Sequence, residues 1–200
     1  MSLESQVEKF SYAIGLSLAS NLLQSGINTI ELKALFEAIE DVMEGREPKL
    51  SPQEANQVID TYFKSKQAND GAINAAEGEA FLSRNKTEEG VVELPSGLQY
   101  KILNEGTGAK PKATDKVKCH YHGTLVNGKV FDSSVQRGTP AEFPVNGVIK
   151  GWVEALQLMP VGSKWRLYIP SHLAYGDQGA GGSIGAKATL IFEVELIEIV

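Results

Sequence analysis

Between Val117 and Trp152 the carboxylate of Asp132 and the guanidinium of Arg137 stand among a series of rings, Tyr121, Phe131, Phe143 and Trp152, with Val148 and Ile149 just ahead of the tryptophan. A single acid and a single base among aromatic and aliphatic side chains make up an apolar ligand pocket with few polar fixtures. A plain core of sheet and helix would use the same residue types. Other chemistries find less support. His120 and His122 stand at i and i+2, which puts both imidazoles on one strand face, but a metal site needs a third ligand and none is evident. The run Gly179-Ala180-Gly181-Gly182-Ser183-Ile184-Gly185 imitates a phosphate loop. A phosphate loop opens a helix, whereas this run leads into the strand-like Ala188 to Leu196. The one cysteine, Cys119, excludes an internal disulfide framework.

The elements that must position these residues are legible from periodicity. Val117, Cys119, Tyr121 and Leu125 alternate with Lys118, His120, His122 and Thr124, the period of a half-buried strand. Asn127-Gly128 is a tight-turn signal, since both residues tolerate positive φ. Trp152, Ala155, Leu156 and Met159 recur at helical spacing until Pro160 ends the segment. Leu98, Tyr100 and Ile102 alternate with polar neighbours. Trp165, Leu167 and Ile169 alternate with Lys164, Arg166 and Tyr168, and Leu190, Phe192, Val194 and Leu196 with Ile191, Glu193, Glu195 and Ile197. Strands joined by turns around one short helix predict an antiparallel sheet wrapped on that helix, so the fold class is α+β.

The N-terminal half reads differently. Ile14, Leu18 and Leu22 lie at successive i+4 steps, and Gly26 follows as a stop. Leu32, Leu35, Phe36, Ile39 and Met43 share a stripe from about Thr29 to Glu44, closed by Gly45. Ser51-Pro52-Gln53-Glu54 starts a third helix, with a serine N-cap, proline at the first position and a capping box. Helix formers continue to Glu89, a span of roughly 57 Å if unbroken. Gly71 and Gly78 each weaken it by about 1 kcal/mol relative to alanine. Its first half carries Val58, Ile59, Tyr62 and Phe63, and its second the thinner set Ala72, Ile73, Ala76, Ala80 and Phe81. Gly90 to Gly97 breaks the period and marks a junction. The expected division is therefore an all-α region with a helical domain at 1–50 and a long connecting helix and linker at 51–92, then an α+β domain at 93–200. Two amphipathic helices cannot bury both stripes in an isolated hairpin, which predicts a homodimer through 1–50.

Composition removes several function classes. The net charge is −6, and residues 1–92 hold 8 Lys and Arg against 15 Asp and Glu. No basic patch points to nucleic acid. No window approaches a membrane span, and the N-terminus lacks a basic region followed by an apolar run. The default address is cytoplasmic, and periplasmic or outer-membrane-associated if an export signal has been trimmed.

Motifs in the C-terminal half carry a closer likeness. Tyr121-x-Gly123-x-Leu125, Asn127-Gly128-x-x-Phe131-Asp132-Ser133-Ser134, Val148-Ile149-x-Gly151-Trp152, Met159-Pro160-Val161-Gly162, Ile169-Pro170, Leu173-Ala174-Tyr175-Gly176 and Ala188 to Leu196 occur in one order over about 100 residues. That series resembles the FKBP family of peptidyl-prolyl cis-trans isomerases. The helical half, chiefly Ser11-Tyr12-Ala13-Ile14-Gly15 and the capped long helix, is similar to that of bacterial FKBPs of the macrophage infectivity potentiator type. The resemblance implies a catalytic set of Tyr121, Phe131, Asp132, Trp152, Tyr175 and Phe192, with Arg137, Phe143, Val148, Ile149 and Ile184 binding substrate. It implies that Trp152 forms the floor and that the Ile149 N–H and the Tyr175 hydroxyl meet substrate carbonyls. Three positions depart from the family pattern: Ala141 and Ala180 stand where bulkier rim residues are usual, and Ile184-Gly185-Ala186 replaces Ile-Pro-Pro.

The activity so implied asks little of side-chain chemistry. An X–Pro amide turns over a barrier of roughly 18–20 kcal/mol because twisting breaks its resonance. A dry pocket favours the less charge-separated twisted state, and a hydrogen bond to the rotated carbonyl adds to this. No nucleophile, metal or cofactor is called for. The implied partners are unfolded or partly folded proteins with X–Pro bonds, with macrolide immunosuppressants as inhibitors and chaperone-like client binding by the dimer. The competing class is a holding chaperone or adaptor in which isomerisation is secondary.

Overall fold

The computed structural model describes residues 3–200, which form two compact units parting between Tyr62 and Phe63. The N-terminal unit holds α1 (Gln6–Gln24), α2 (Leu32–Met43) and the first turns of α3 (Pro52–Asn85). Its helix starts follow local hydrogen-bond chemistry. Ser5 Oγ accepts from the Glu8 N–H at 3.1 Å while the Glu8 carboxylate accepts from the Ser5 N–H at 2.8 Å, a complete capping box. Ser51 and Glu54 repeat the exchange at 3.3 and 2.9 Å. Gly26 and Gly45 end α1 and α2 with φ of 76° and 68°, values that cost glycine little. α1 buries none of its residues, and α2 buries only Asp41, which Arg46 Nε reaches at 2.8 Å.

The second unit is built on one antiparallel sheet in the order β1 (Val91–Glu93), β2 (Gln99–Asn104), β6 (Lys164–Ile169), β7 (Leu190–Ile199), β3 (Lys116–Leu125), β4 (Val130–Ser133), with β5 (Ala141–Pro144) also paired to β3. The alternation expected along β3 holds for Val117, Cys119 and Tyr121 and continues through Gly123, all buried between half-buried or exposed neighbours, whereas Leu125 at the strand end is only half-buried. At its end the Asn127-Gly128 turn forms with Gly128 at φ 83°, and the Leu125 N–H donates to Lys129 O at 2.9 Å. α5 (Lys150–Leu156) packs on the core side of the sheet with Trp152, Ala155 and Leu156 buried. α4 (Ser134–Arg137) is a single helical turn following β4.

Three expectations are corrected by packing. The presumed junction 90–97 contains a strand, β1, whose Val91–Glu93 pair with Gln99–Lys101, so this stretch belongs to the sheet edge. Tyr168, placed on the polar side of β6 by alternation, is buried, because Phe81 of α3 covers it at a ring separation of 5.8 Å. Ile102, placed inward, is 43% exposed beyond the end of β1, and the buried run of β2 stops at Gln99, followed by the half-buried Tyr100, which stacks on Trp165 at 4.4 Å.

α3 runs unbroken through Gly71 and Gly78. Those glycines form its contact face. A Cβ on Gly71 would lie 3.2 Å from Ala186 Cβ, and one on Gly78 would lie 2.3 Å from Thr189 Oγ1. Below them Asn85 Nδ2 donates to Gln99 Oε1 at 2.8 Å, and Gln99 Nε2 donates to Leu82 O at 3.0 Å. The residues read as the stripe, Ala72, Ile73, Ala76 and Ala80, face away and are exposed. Gly78→Ala should therefore lower stability by about 1–3 kcal/mol through overpacking against Thr189, although helix propensity alone favours alanine by about 1 kcal/mol. Urea unfolding of the full chain measures this, and a stability equal to or above that of the parent would show the contact to be adjustable.

Candidate active site

The site is assembled where β3 is flanked by β4 on one side and β7 on the other. Gly123 pairs with Asp132 of β4 and with Phe192 of β7. A side chain at 123 would fall 2.7 Å from the Phe131 ring and 2.8 Å from the Phe192 ring, so only glycine lets the two rings close over the strand. They meet edge to face at 5.3 Å. Gly151 plays the same part for α5: a Cβ there would lie 2.6 Å from Ile169 Cγ2. This close seating brings Trp152 up against Tyr121, Phe143 and Phe192 at 5.5, 5.6 and 5.3 Å, with interplanar angles of 83°, 82° and 80°. The indole is 4% exposed and forms the base of the cluster.

Above it opens a cavity of about 650 Å³, lined by Tyr121, Phe131, Asp132, Phe143, Val148, Ile149, Trp152, Tyr175, Ile184 and Phe192 together with Gly147, Ala180, Gly181 and Ser183. Sequence reading had brought forward the first ten. Gly147, Gly181 and Ser183 escaped it, because small turn residues have neither periodicity nor chemistry to announce them. Ala180 lines the cavity, whereas Ala141 pairs with Cys119 and packs on the core. Arg137 is not among the lining residues. It returns to the site because Ser133 Oγ caps α4 through the Gln136 N–H at 3.2 Å, and the single turn ends at Gly138 with φ 71°. Its guanidinium then donates one N–H to Asp132 and, from Nη2, one to Tyr121 Oη at 2.8 Å, while the tyrosine hydroxyl donates to Asp132 Oδ2 at 2.5 Å. The three polar groups thus satisfy one another at the wall.

Their electrostatics follow from that closure. Burial pulls the Asp132 carboxyl upward, but the hydrogen bonds from Tyr121 and Arg137, with the arginine charge, outweigh it and hold the group below the usual aspartate value. Burial, followed by its bond to Asp132, raises the Tyr121 phenol. Both shifts move away from neutrality, so neither group is poised to exchange protons at ordinary pH. Behind the wall, Ser134 Oγ accepts from the Tyr121 N–H at 2.7 Å and lies 3.1 Å from His120 Nδ1, and Ser133 Oγ lies 3.0 Å from His122 Nδ1. The two imidazoles therefore face serines, and no group of three metal-binding side chains occurs among the described residues. Burial pushes the Cys119 thiol up to about 12, leaving it inert as a nucleophile. The Gly179–Gly185 run forms a turn closed by an Ala180–Ile184 bridge, and opens no helix.

Residues 107–197 match the family described as FKBP-type peptidyl-prolyl cis-trans isomerase, and residues 7–102 match the domain amino terminal to it. The FKBP-type 22 kDa peptidyl-prolyl cis-trans isomerase of Escherichia coli is 49% identical over 192 residues, covering 94% of this chain and 93% of that protein. Outer membrane protein MIP of Legionella longbeachae is 45% identical over 205 residues, covering 99% and 88%. The crystal structure of FkpA from Escherichia coli superposes with a TM-score of 0.73 at 33% identity, over 99% of this chain and 98% of that one. Likeness of this extent in both halves makes the chain a member of the FKBP-type peptidyl-prolyl cis-trans isomerases.

Proposed function

We propose that the ring-lined cavity is where this isomerase turns the X–Pro bond, with Trp152 as floor, Tyr121, Phe131, Phe143 and Phe192 as walls, and Val148 and Ile184 at the mouth. The observation that carries this reading is a large apolar cavity whose one charged lining residue, Asp132, is already paired with Arg137 and Tyr121. A proline ring entering it leaves water, and the adjoining amide loses the solvent that stabilises its planar, charge-separated form. The twisted amide loses less, so the barrier falls. The Ile149 N–H at the start of α5 and the Tyr175 hydroxyl take the flanking substrate carbonyls and hold them in the rotated geometry. Asp132 and Arg137 polarise and orient Tyr121 and carry no proton. A macrolide immunosuppressant of matching shape would compete for the same cavity.

The helical half gives the enzyme a second level of organisation. Residues 1–50 form a dimer interface, 51–92 the connection and 93–200 the isomerase, with the second half of α3 folded into the same compact unit as the sheet. Support comes from α1, 19 residues with none buried, and from Val7, Phe10, Leu23, Phe36, Met43 and Val58, each more than half exposed. Apolar side chains left this exposed in such number are normally covered by a partner. A dimer carrying two pockets around helical surfaces suits capture of unfolded chains that contain X–Pro bonds. No helix among the described residues is long and apolar enough to cross a membrane. A relative named as an outer membrane protein favours a periplasmic or outer-membrane-associated address over the cytoplasmic default.

Phe131→Ala removes a wall from a half-buried position and should cut kcat/KM on an X–Pro tetrapeptide by tenfold or more, about 1.4 kcal/mol of transition-state stabilisation, while the chain still unfolds cooperatively. Full activity in a folded variant would exclude this cavity. Asp132 should impose no titration on activity between about pH 6 and 9. A carboxyl depressed on folding contributes fully above its unfolded value of about 3.9 and loses that contribution only as pH falls through the lower folded value. An activity loss centred near neutrality would instead assign proton transfer to the site.

Sedimentation should find the full chain dimeric at micromolar concentration and residues 63–200 monomeric. That shortened chain should keep most tetrapeptide turnover, yet lose roughly 10²-fold in catalysis of proline-limited protein refolding, the scale of effect that tethering supplies. Equal losses in both assays would mean that shortening damaged the pocket. A full-length monomer would dismiss the dimer.

A further inference from the structure

The outer rim of the cavity is the segment from Gly176 to Ala188, which contributes Ala180, Ser183 and Ile184. Ala180 and Ile184 exchange backbone hydrogen bonds of 2.8 and 3.0 Å, and the Lys187 N–H returns to Gly176 O at 2.8 Å. Lys187 has φ 55°, alone among the described non-glycine residues in being positive. A lysine keeps that conformation only where its surroundings impose it. The segment holds no proline and has glycine at 179, 181, 182 and 185, so its own sequence does little to stiffen it.

α3 supplies what the segment lacks. Asn74 Nδ2 donates to Ala186 O at 2.8 Å, and Gln67 Nε2 donates to Asp177 O at 3.3 Å. Residues seven apart share one helix face about 10.5 Å apart, so a single face of α3 ties both ends of the rim. The fit depends on missing side chains: a Cβ on Gly185 would lie 2.8 Å from Asn74 Nδ2, and Gly71 admits Ala186. Gly185-Ala186, which stands where the family has two prolines, is thus held from an element about 100 residues away in the chain.

We propose that Asn74, assisted by Gln67, is a positioning residue of the isomerase, holding the rim so that Ile184 is preset against the substrate residue beside the proline. The proposal rests on the cavity being the catalytic site. It extends specificity control to the helical half of the chain, through a side chain that touches no substrate.

The test uses the full-length chain with Asn74→Ala, Asn74→Asp, Gly185→Ala and the Asn74→Ala/Gly185→Ala double variant, and Phe131→Ala beside them. Asn74→Asp keeps the size but sets an acceptor against the Ala186 carbonyl. Each Asn74 variant should lose about three- to tenfold in kcat/KM on tetrapeptides, the range that one hydrogen bond supplies. The loss should fall mainly on KM, because a rim that must be ordered on binding weakens ground and transition states alike. Exchange of the Lys187 amide hydrogen should quicken while the thermal midpoint stays within a few degrees. Gly185→Ala should reproduce the loss by displacing the Asn74 amide, and the double variant should lose no more than either single one. Wild-type kinetics in both Asn74 variants beside an impaired Phe131→Ala would overturn the clamp and leave the cavity assignment standing. So would additive losses in the double variant, or a loss confined to kcat with a lowered thermal midpoint. Full activity in Phe131→Ala would remove the cavity assignment and the clamp with it.

Discussion

The right-angled meeting of Trp152 with three other rings is the contact on which the second unit depends. Tyr121 comes from β3, Phe143 from β5 and Phe192 from β7, and the indole arrives from α5. Such edge-to-face pairs add about 0.5–1.5 kcal/mol each beyond the area they bury. They also set the distance between helix and sheet. Gly151 lets α5 come this close, since a Cβ there would lie 2.6 Å from Ile169 Cγ2. Floor and fold are therefore the same object. Trp152 is so deeply placed that its truncation would test stability before it tested catalysis, which is why the half-buried Phe131 is the better probe of function.

A second constraint is the use of glycine where two bodies must nearly touch. Gly123 lets Phe131 and Phe192 close over β3, and Gly151 seats α5. Gly71 and Gly78 let α3 lie on the segment Ala186–Thr189. In isolation each weakens its element. In the folded chain each permits dispersion contacts that a methyl group would prevent.

The polar groups follow a matching economy. Asp132, Arg137 and Tyr121 form a closed triangle at the wall, so the cavity presents satisfied charges and open rings. That arrangement suits a reaction in which no covalent bond forms or breaks. A site for proton transfer would need at least one group held near neutrality, and the shifts here run the other way.

Much of this was legible in the residues alone. Period-two alternation located β3, β6 and β7, the Asn127-Gly128 turn and the Ser51–Glu54 capping box were readable locally, and the spaced motifs held eight of the residues that line the cavity, with Phe143 and Ile184 added by the family resemblance. Those signals survive in one dimension because they depend on neighbours within a few positions. Tertiary structure decided what depends on distant ones. Tyr168 is buried only because Phe81 comes to cover it, and β1 exists only because β2 offers an edge. Gly71 and Gly78 read as flaws in a helix until the segment that fills their space is in view. The amide of Asn74 has no sequence signal of its own. Its partner is a backbone carbonyl 112 positions along the chain, and no local pattern records a hydrogen bond of that span.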